Sequence, residues 1–198
     1  MGLLDKSKMR RTCAIIVLGV LMLCWLGRLH GAIDAGLERR IIVGGKIFTH
    51  LLSGDERLLQ QARKAGTFHV WLVYKSQPEM AEKASSILSA KPANAAPGMA
   101  ISTLTLDALG NKEPSDTVEY SGIFIAEPLS PDELQQIIQF ANTNHVLLFS
   151  PFEGDVEAGA ATGFIVEVKV QPFLNRKALQ QAGINLRPLY LKVSKLHD

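Results

Sequence analysis

The stretch from Ser121 to Gly183 constrains the fold most, because it alternates short apolar runs with capped amphipathic segments. Ile123-Phe124-Ile125 is a continuous apolar run of the kind buried on both faces of a parallel sheet. Ser130-Pro131-Asp132-Glu133 then starts a helix by three signals at once. Ser130 can accept first-turn N–H groups, Pro131 has its φ preset, and Glu133 completes a capping box. Leu134, Ile137, Ile138 and Ala141 share one face of that helix. His145 to Phe149 is a second buried run, so a parallel β-α-β unit is expected. A loop, Ser150 to Gly159, follows with three acids and two glycines. Gly163 to Val170 reads as a strand, and Pro172 ends its ladder or places it at an edge. Asn175 can cap the helix RKALQQA, which Gly183 closes.

The rest of the body repeats this alternation. Gly36 to Leu52 carries a helical stripe of Ile41, Ile47, Phe48, Leu51 and Leu52, with Val43 or Ile42 beside it. The Gly44-Gly45 pair weakens that helix by about 1 kcal/mol per glycine relative to alanine. It either lets the helix approach the sheet or breaks it. Asp55 to Ala65 forms a short helix ended by Gly66. Phe68 to Tyr74 is a strand, and Ser76-Gln-Pro-Glu79 repeats the capping-box pattern before a helix to about Ala90. Lys91 to Gly98 is a linker, Met99 to Leu106 a strand, and Gly110 to Asp116 a polar loop. Leu189, Tyr190, Val193 and Leu196 have helical spacing. The expected fold class is α/β: a single three-layer domain, residues 36–198, with a mainly parallel sheet flanked by helices.

A leader precedes it. Lys6 to Arg11 is basic, Thr12 to Gly27 is apolar, and Ala32 and Ala35 offer cleavage positions. Residues 1–35 are therefore read as a signal peptide or, uncleaved, as an N-terminal membrane anchor, and either puts the body outside the cytoplasm. Leu23 before Cys24 is too large for a lipoprotein site. The formal charge of +2 misleads. Five basic and two acidic residues sit in the leader, leaving sixteen basic against seventeen acidic in the body. A near-neutral body without a basic cluster argues against nucleic acid as the partner. Both cysteines, Cys13 and Cys24, belong to the leader, so the body has no disulfide, thiolate ligand or thiol nucleophile.

Catalytic signatures fail one by one. Arg40 stands where a P-loop needs glycine before Gly45-Lys46, and Ile47 where it needs Ser or Thr. His50, His69, His145 and His197 lie on different elements, without the local pair that metal sites use. Glu153, Asp155 and Glu157 lack the further acids of a calcium loop. No G-x-S-x-G or G-x-G-x-x-G occurs. The residues read as a non-enzymatic binding module with no cofactor and no metal. Phe152, on the loop after a strand, is either an exposed anchor or a plug folded back on the core. Trp71 is read as core.

The element order resembles the YfiR/HmsC-like family of periplasmic regulatory proteins over about residues 37–196. The resemblance is carried by Val146-Leu-Leu-Phe149, Gly163-Phe-Ile-Val166, Val170-Gln-Pro-Phe-Leu-Asn175, Ala182-Gly-Ile184 and Leu189-Tyr-Leu191. Pro172-Phe173-Leu174-Asn175 stands where the family has an F-E-I-N segment, so the acid is missing. The resemblance implies a periplasmic regulator that restrains an inner-membrane signalling protein, a diguanylate cyclase or sensor kinase with a periplasmic sensor domain, by protein–protein contact. The expected contact residues are Phe152, Phe173, Leu174, Asn175, Leu189 and Tyr190. Homo-oligomer formation stays open. So do two rivals, a periplasmic small-ligand sensor with a pocket at the strand ends and a hydrolase without a recognisable motif.

Overall fold

The structure, a computed structural model, describes residues 35–90, 97–111 and 120–198. The expected leader up to residue 34, most of the linker and most of the polar loop lie outside the described residues. The chain divides into two units, Met1–Glu38 and Arg39–Asp198. Of the first, only the helical residues 35–38 are described. Among the described residues no helix is long and apolar enough to cross a membrane.

Among the described residues the larger unit is built on seven strands: β1 (Thr67–Tyr74), β2 (Gly98–Thr105), β3 (Gly122–Ile125), β4 (Leu147–Phe149), β5 (Thr162–Val166), β6 (Val170–Asn175) and β7 (Lys195–His197). Their order in the sheet is β2-β1-β3-β4-β5-β6-β7. All neighbours are parallel except the β5–β6 hairpin. The helices are α1 (35–52, of which 39–52 belong to this unit), α2 (Glu56–Ala65), α3 (Pro78–Ser89), α4 (Leu106–Gly110), α5 (Pro131–Thr143), α6 (Arg176–Gln181) and α7 (Pro188–Val193). The α/β class with a mainly parallel sheet flanked by helices is thus the observed one.

Side-chain alternation assigns the layers. Gly122 and Phe124 of β3 and Phe149 of β4 point to one face, where α1 lies. Phe48 of α1 sits 5.6 Å from the Phe124 ring and 5.5 Å from Phe149, and those two rings stack at 5.4 Å. All three are fully buried. Such ring pairs are worth about 0.5–1.5 kcal/mol beyond their buried area. The glycine pair serves close approach rather than breaking the helix. Gly44 lies against Phe149 and Pro151, and Gly45 against Ile87 and Leu88 of α3. On the opposite face Trp71 of β1 stacks on Tyr120 at 3.6 Å and meets Phe140 of α5 at 5.6 Å. Trp71 is core.

Several local expectations hold. Ser130 and Glu133 form the capping box of α5. Asp55 caps α2, and Gly66 ends it at φ 80°. Asn175 caps α6 through Ala178, and Gly183 follows that helix at φ 66°. Pro172 sits inside β6 opposite Phe164, and β7 begins to pair only at Phe173. The proline therefore lies where the strand has a free outer side, as its missing N–H requires.

Three expectations are corrected. Gly163 to Val170 is not one strand but β5, a turn at 167–169 and the first residue of β6. Ser76 does not cap α3; the cap position is Gln77, with no side-chain hydrogen bond. The helical spacing at the C-terminus ends at Val193, and Leu196 belongs to β7. The helix α4, which Thr105 caps through Ala108, was not anticipated. At five residues it is too short for a periodic signal.

Candidate functional site

In this strand order β1 connects through α3 to β2 on one side, whereas β3 connects through α5 to β4 on the other. α3 touches α1, and α5 lies under Trp71, so the two helices cover opposite faces of the sheet. The carboxyl ends of β1 and β3 therefore flank a topological switch point, where open α/β sheets take their ligands. The loops meeting there are 75–77 and 126–130.

Two side chains bridge these loops. Glu127, only 2% exposed, sends its carboxylate to the amino end of α3. Its Oε1 accepts from the Ser76 N–H at 2.9 Å and the Ser76 hydroxyl at 3.2 Å, and Oε2 accepts from the Gln77 N–H at 2.7 Å. Beside it, Lys75 at the end of β1 pairs with Glu133 in the first turn of α5. That lysine, together with the Ser130 backbone and hydroxyl, holds the Glu133 carboxyl down to about 2. Glu133 in turn raises Lys75 above its ordinary value.

A second polar group lies at the end of β4. The fully buried Ser150 donates from Oγ to Asp155 at 2.5 Å and accepts from the Phe152 N–H at 3.2 Å. Burial pushes the Asp155 carboxyl up, while Ser150 and the nearby Arg40 draw it partly back. Arg40 donates from Nε to the Pro151 carbonyl at 2.6 Å and lies 4.9 Å over the Phe164 ring. Its guanidinium is 3.9 Å from Glu153. Ser150 thus pairs with a carboxylate rather than a histidine, and its hydroxyl is spent on shaping the loop. Glu153 and Asp155 are engaged separately. Among the described residues no group of three His, Cys, Asp or Glu side chains could hold a metal ion.

The six expected contact residues separate into two sets. Phe152, Phe173, Leu174 and Asn175 are buried. Phe152 is the plug, folded back on the core, and not the exposed anchor. Phe173 lies under the Lys195 ammonium at 5.7 Å and beside the His197 ring. Asn175 is spent on structure: Oδ1 accepts from Ala178, and Nδ2 donates to the Val156 carbonyl at 3.0 Å, tying the loop after β4 to α6. As placed here these four offer a partner little surface. Leu189, 68% exposed, and the half-buried Tyr190 do offer it, on α7. The Tyr190 ring rests on Gly54 under the Arg187 guanidinium.

Sequence reasoning missed two features. One is Glu127, whose only signal was an acid two residues beyond a fully apolar strand. The other is the row Val166, Val168 and Val170, which stands in water on the β5–β6 hairpin. A single strand read from Gly163 to Val170 gives no sign of the turn at 167–169 that holds these valines in water.

No family model and no curated protein matches the chain. Among solved structures it is similar to the ABC domain in complex with L-Trp from Streptococcus pneumoniae, at 10% identity and TM-score 0.49, over 74% of this chain and 61% of that one. It is also similar to a conserved domain protein from Vibrio cholerae, at 13% identity and TM-score 0.53, over 71% of this chain and 58% of the other. The chain spans about three-fifths of the length of these structures. The likeness to the Vibrio cholerae protein carries the fold, a mainly parallel sheet flanked by helices.

Proposed function

We propose that this chain is an exported, non-enzymatic binding protein that restrains an inner-membrane signalling protein, a diguanylate cyclase or sensor kinase, by contact through its last third. The observation that carries the reading is the clustering of exposed apolar side chains. Among the described residues the large apolar side chains that stand in water are Val166, Val168, Val170, Leu189 and Val193, and all fall within residues 166–193. Exposed apolar surface marks a contact site where it is contiguous, and Val166 and Val170 face each other across the β5–β6 ladder. Leu189 and Val193 are one helical turn apart, on the same side of α7. The resemblance to the YfiR/HmsC-like family supports the class of partner, and the near-neutral body supports a protein rather than a nucleic acid. Restraint would act by occupancy: the bound protein biases the partner's outer domain toward its inactive state, and the signal is release. A small-ligand sensor is the second reading, favoured by the switch point between β1 and β3.

The test is affinity capture from membranes with the tagged full-length protein, followed by mass spectrometry of bait and prey. A cyclase or sensor kinase among the prey, lost with Leu189→Asp, supports the reading. The N-terminus of the bait decides between cleavage and anchoring. Absence of any membrane partner, with the bait folded, overturns it.

A further inference from the structure

We propose that Glu127 is a latch that keeps the switch-point crevice closed, its carboxylate occupying the seat where a fold of this topology would take an anionic ligand group. The seat has the character of a carboxylate site. Two backbone N–H groups and one hydroxyl converge at the amino end of the twelve-residue α3, and each oxygen of Glu127 has at least one of them. Partial positive charge at a helix amino end favours an anion there. A carboxylate this deeply buried is tolerated only when its lost hydration is replaced, and here three donors replace it.

The placement is what makes this a latch rather than a cap. Glu127 follows β3, whereas its donors follow β1, so the bonds close the crevice from side to side. Lys75 and Glu133 close it again, with the donor once more on the β1 side and the carboxylate on the β3 side. The Lys75 charge also feels Glu127 directly. The two straps interlock, because Lys75 precedes Ser76 in the chain and Glu133 lies six residues beyond Glu127. An external carboxylate or phosphate meets a seat already filled by a group that pays no entropy of association. The consequence goes beyond the contact reading: small anions do not bind at the switch point of the wild-type protein.

Chemical rescue tests this. Glu127→Ala empties the seat and leaves three donors facing a carboxylate-sized space. With the full-length protein, formate or acetate should raise the Tm of Glu127→Ala above its value in chloride at equal ionic strength. At ten times the Kd the rise should be about 3–6 °C. Glu127→Gln fills the seat with a neutral group of the same shape, so it should be destabilised and show no such rise. The wild type, which meets only the general salting effect of these anions, should rise from chloride to formate, acetate or phosphate by no more than Glu127→Gln does. A specific rise in the wild type, or no rise in a folded Glu127→Ala, overturns the latch. If Glu127→Ala does not fold, amide hydrogen exchange on the wild type decides. Ser76 and Gln77 should be protected although Ser76 lies in an exposed loop, and rapid exchange at both overturns the proposal. Capture of a membrane partner is a separate readout, so either idea can fail alone.

Discussion

Gly122→Ala isolates the packing of α1 on the sheet. A Cβ at this position would come within 2.6 Å of Phe48 Cζ and 2.9 Å of Leu52 Cδ2. Carbon atoms in contact sit roughly 3.5–4.0 Å apart, so something must retreat by about 1 Å. The Phe48 ring has no room to do so, being enclosed by Phe124 and Phe149. Overpacking of this kind costs about 1–3 kcal/mol. Replacing glycine within a strand returns about 0.5–1 kcal/mol of backbone entropy. The net loss should be about 1–2 kcal/mol, a fall in Tm of about 2–8 °C for a domain of this size. Phe48→Ala alone should cost about 3–5 kcal/mol. With the ring gone, the new methyl group has space and fills part of the cavity, so Gly122→Ala becomes neutral or stabilising. Urea unfolding of the four proteins, followed by far-UV circular dichroism, measures the coupling, expected at about 1–3 kcal/mol. An equal cost of Gly122→Ala in both backgrounds would refute the contact.

Other perturbations have defined outcomes. Glu133 is depressed to about 2 from 4.5, so its stabilisation is full above 4.5 and is lost as pH falls toward 2. Glu133→Gln should flatten the acid limb of stability in that window, and an unchanged limb would contradict the Lys75 pairing. Asp155 has the opposite sign. Burial raises it above 3.8, so its ionised form opposes folding and stability is regained as pH falls through the raised value. Asp155→Asn keeps an acceptor for the Ser150 hydroxyl and should leave the Tm at pH 7 unchanged or higher; a clear fall would contradict burial as the main cause. Leu189→Asp should change stability by no more than about 0.5 kcal/mol, whereas Phe173→Ala should cost about 3–5 kcal/mol whether or not a partner is present. The reverse order in thermal melts would invert the assignment of surface and core.

The elements legible in the sequence were those whose signal is local. Ser130, Pro131 and Glu133 announce α5 within four residues. Asn175 and Gly183 bracket α6 in the same way, and Asp55 and Gly66 bracket α2. What depends on distant partners was less legible. Ser76-Gln-Pro-Glu79 has the spacing of a capping box, yet Ser76 is drawn away by Glu127, 51 positions along the chain. Phe152, on a loop, could be read as anchor or plug, and Phe173 was expected at the contact surface with the rest of its family-like segment. Whether they face water is decided by Lys195, His197 and the loop after β4, all remote in sequence or irregular. Leu196 falls on the stripe of α7, but three residues suffice for β7 once β6 offers an open edge.

The aromatic cluster also orders the synthesis of the protein. Phe48 is made early, whereas Phe124 and Phe149 follow roughly 75 and 100 residues later. At about 5–20 residues per second, the apolar side of α1 waits some ~5–20 s for the strands that cover it. During that interval Ile41, Phe48, Leu51 and Leu52 have no sheet to rest on. The first hydrophobic surface that this unit presents to a chaperone is therefore one that ends up fully buried.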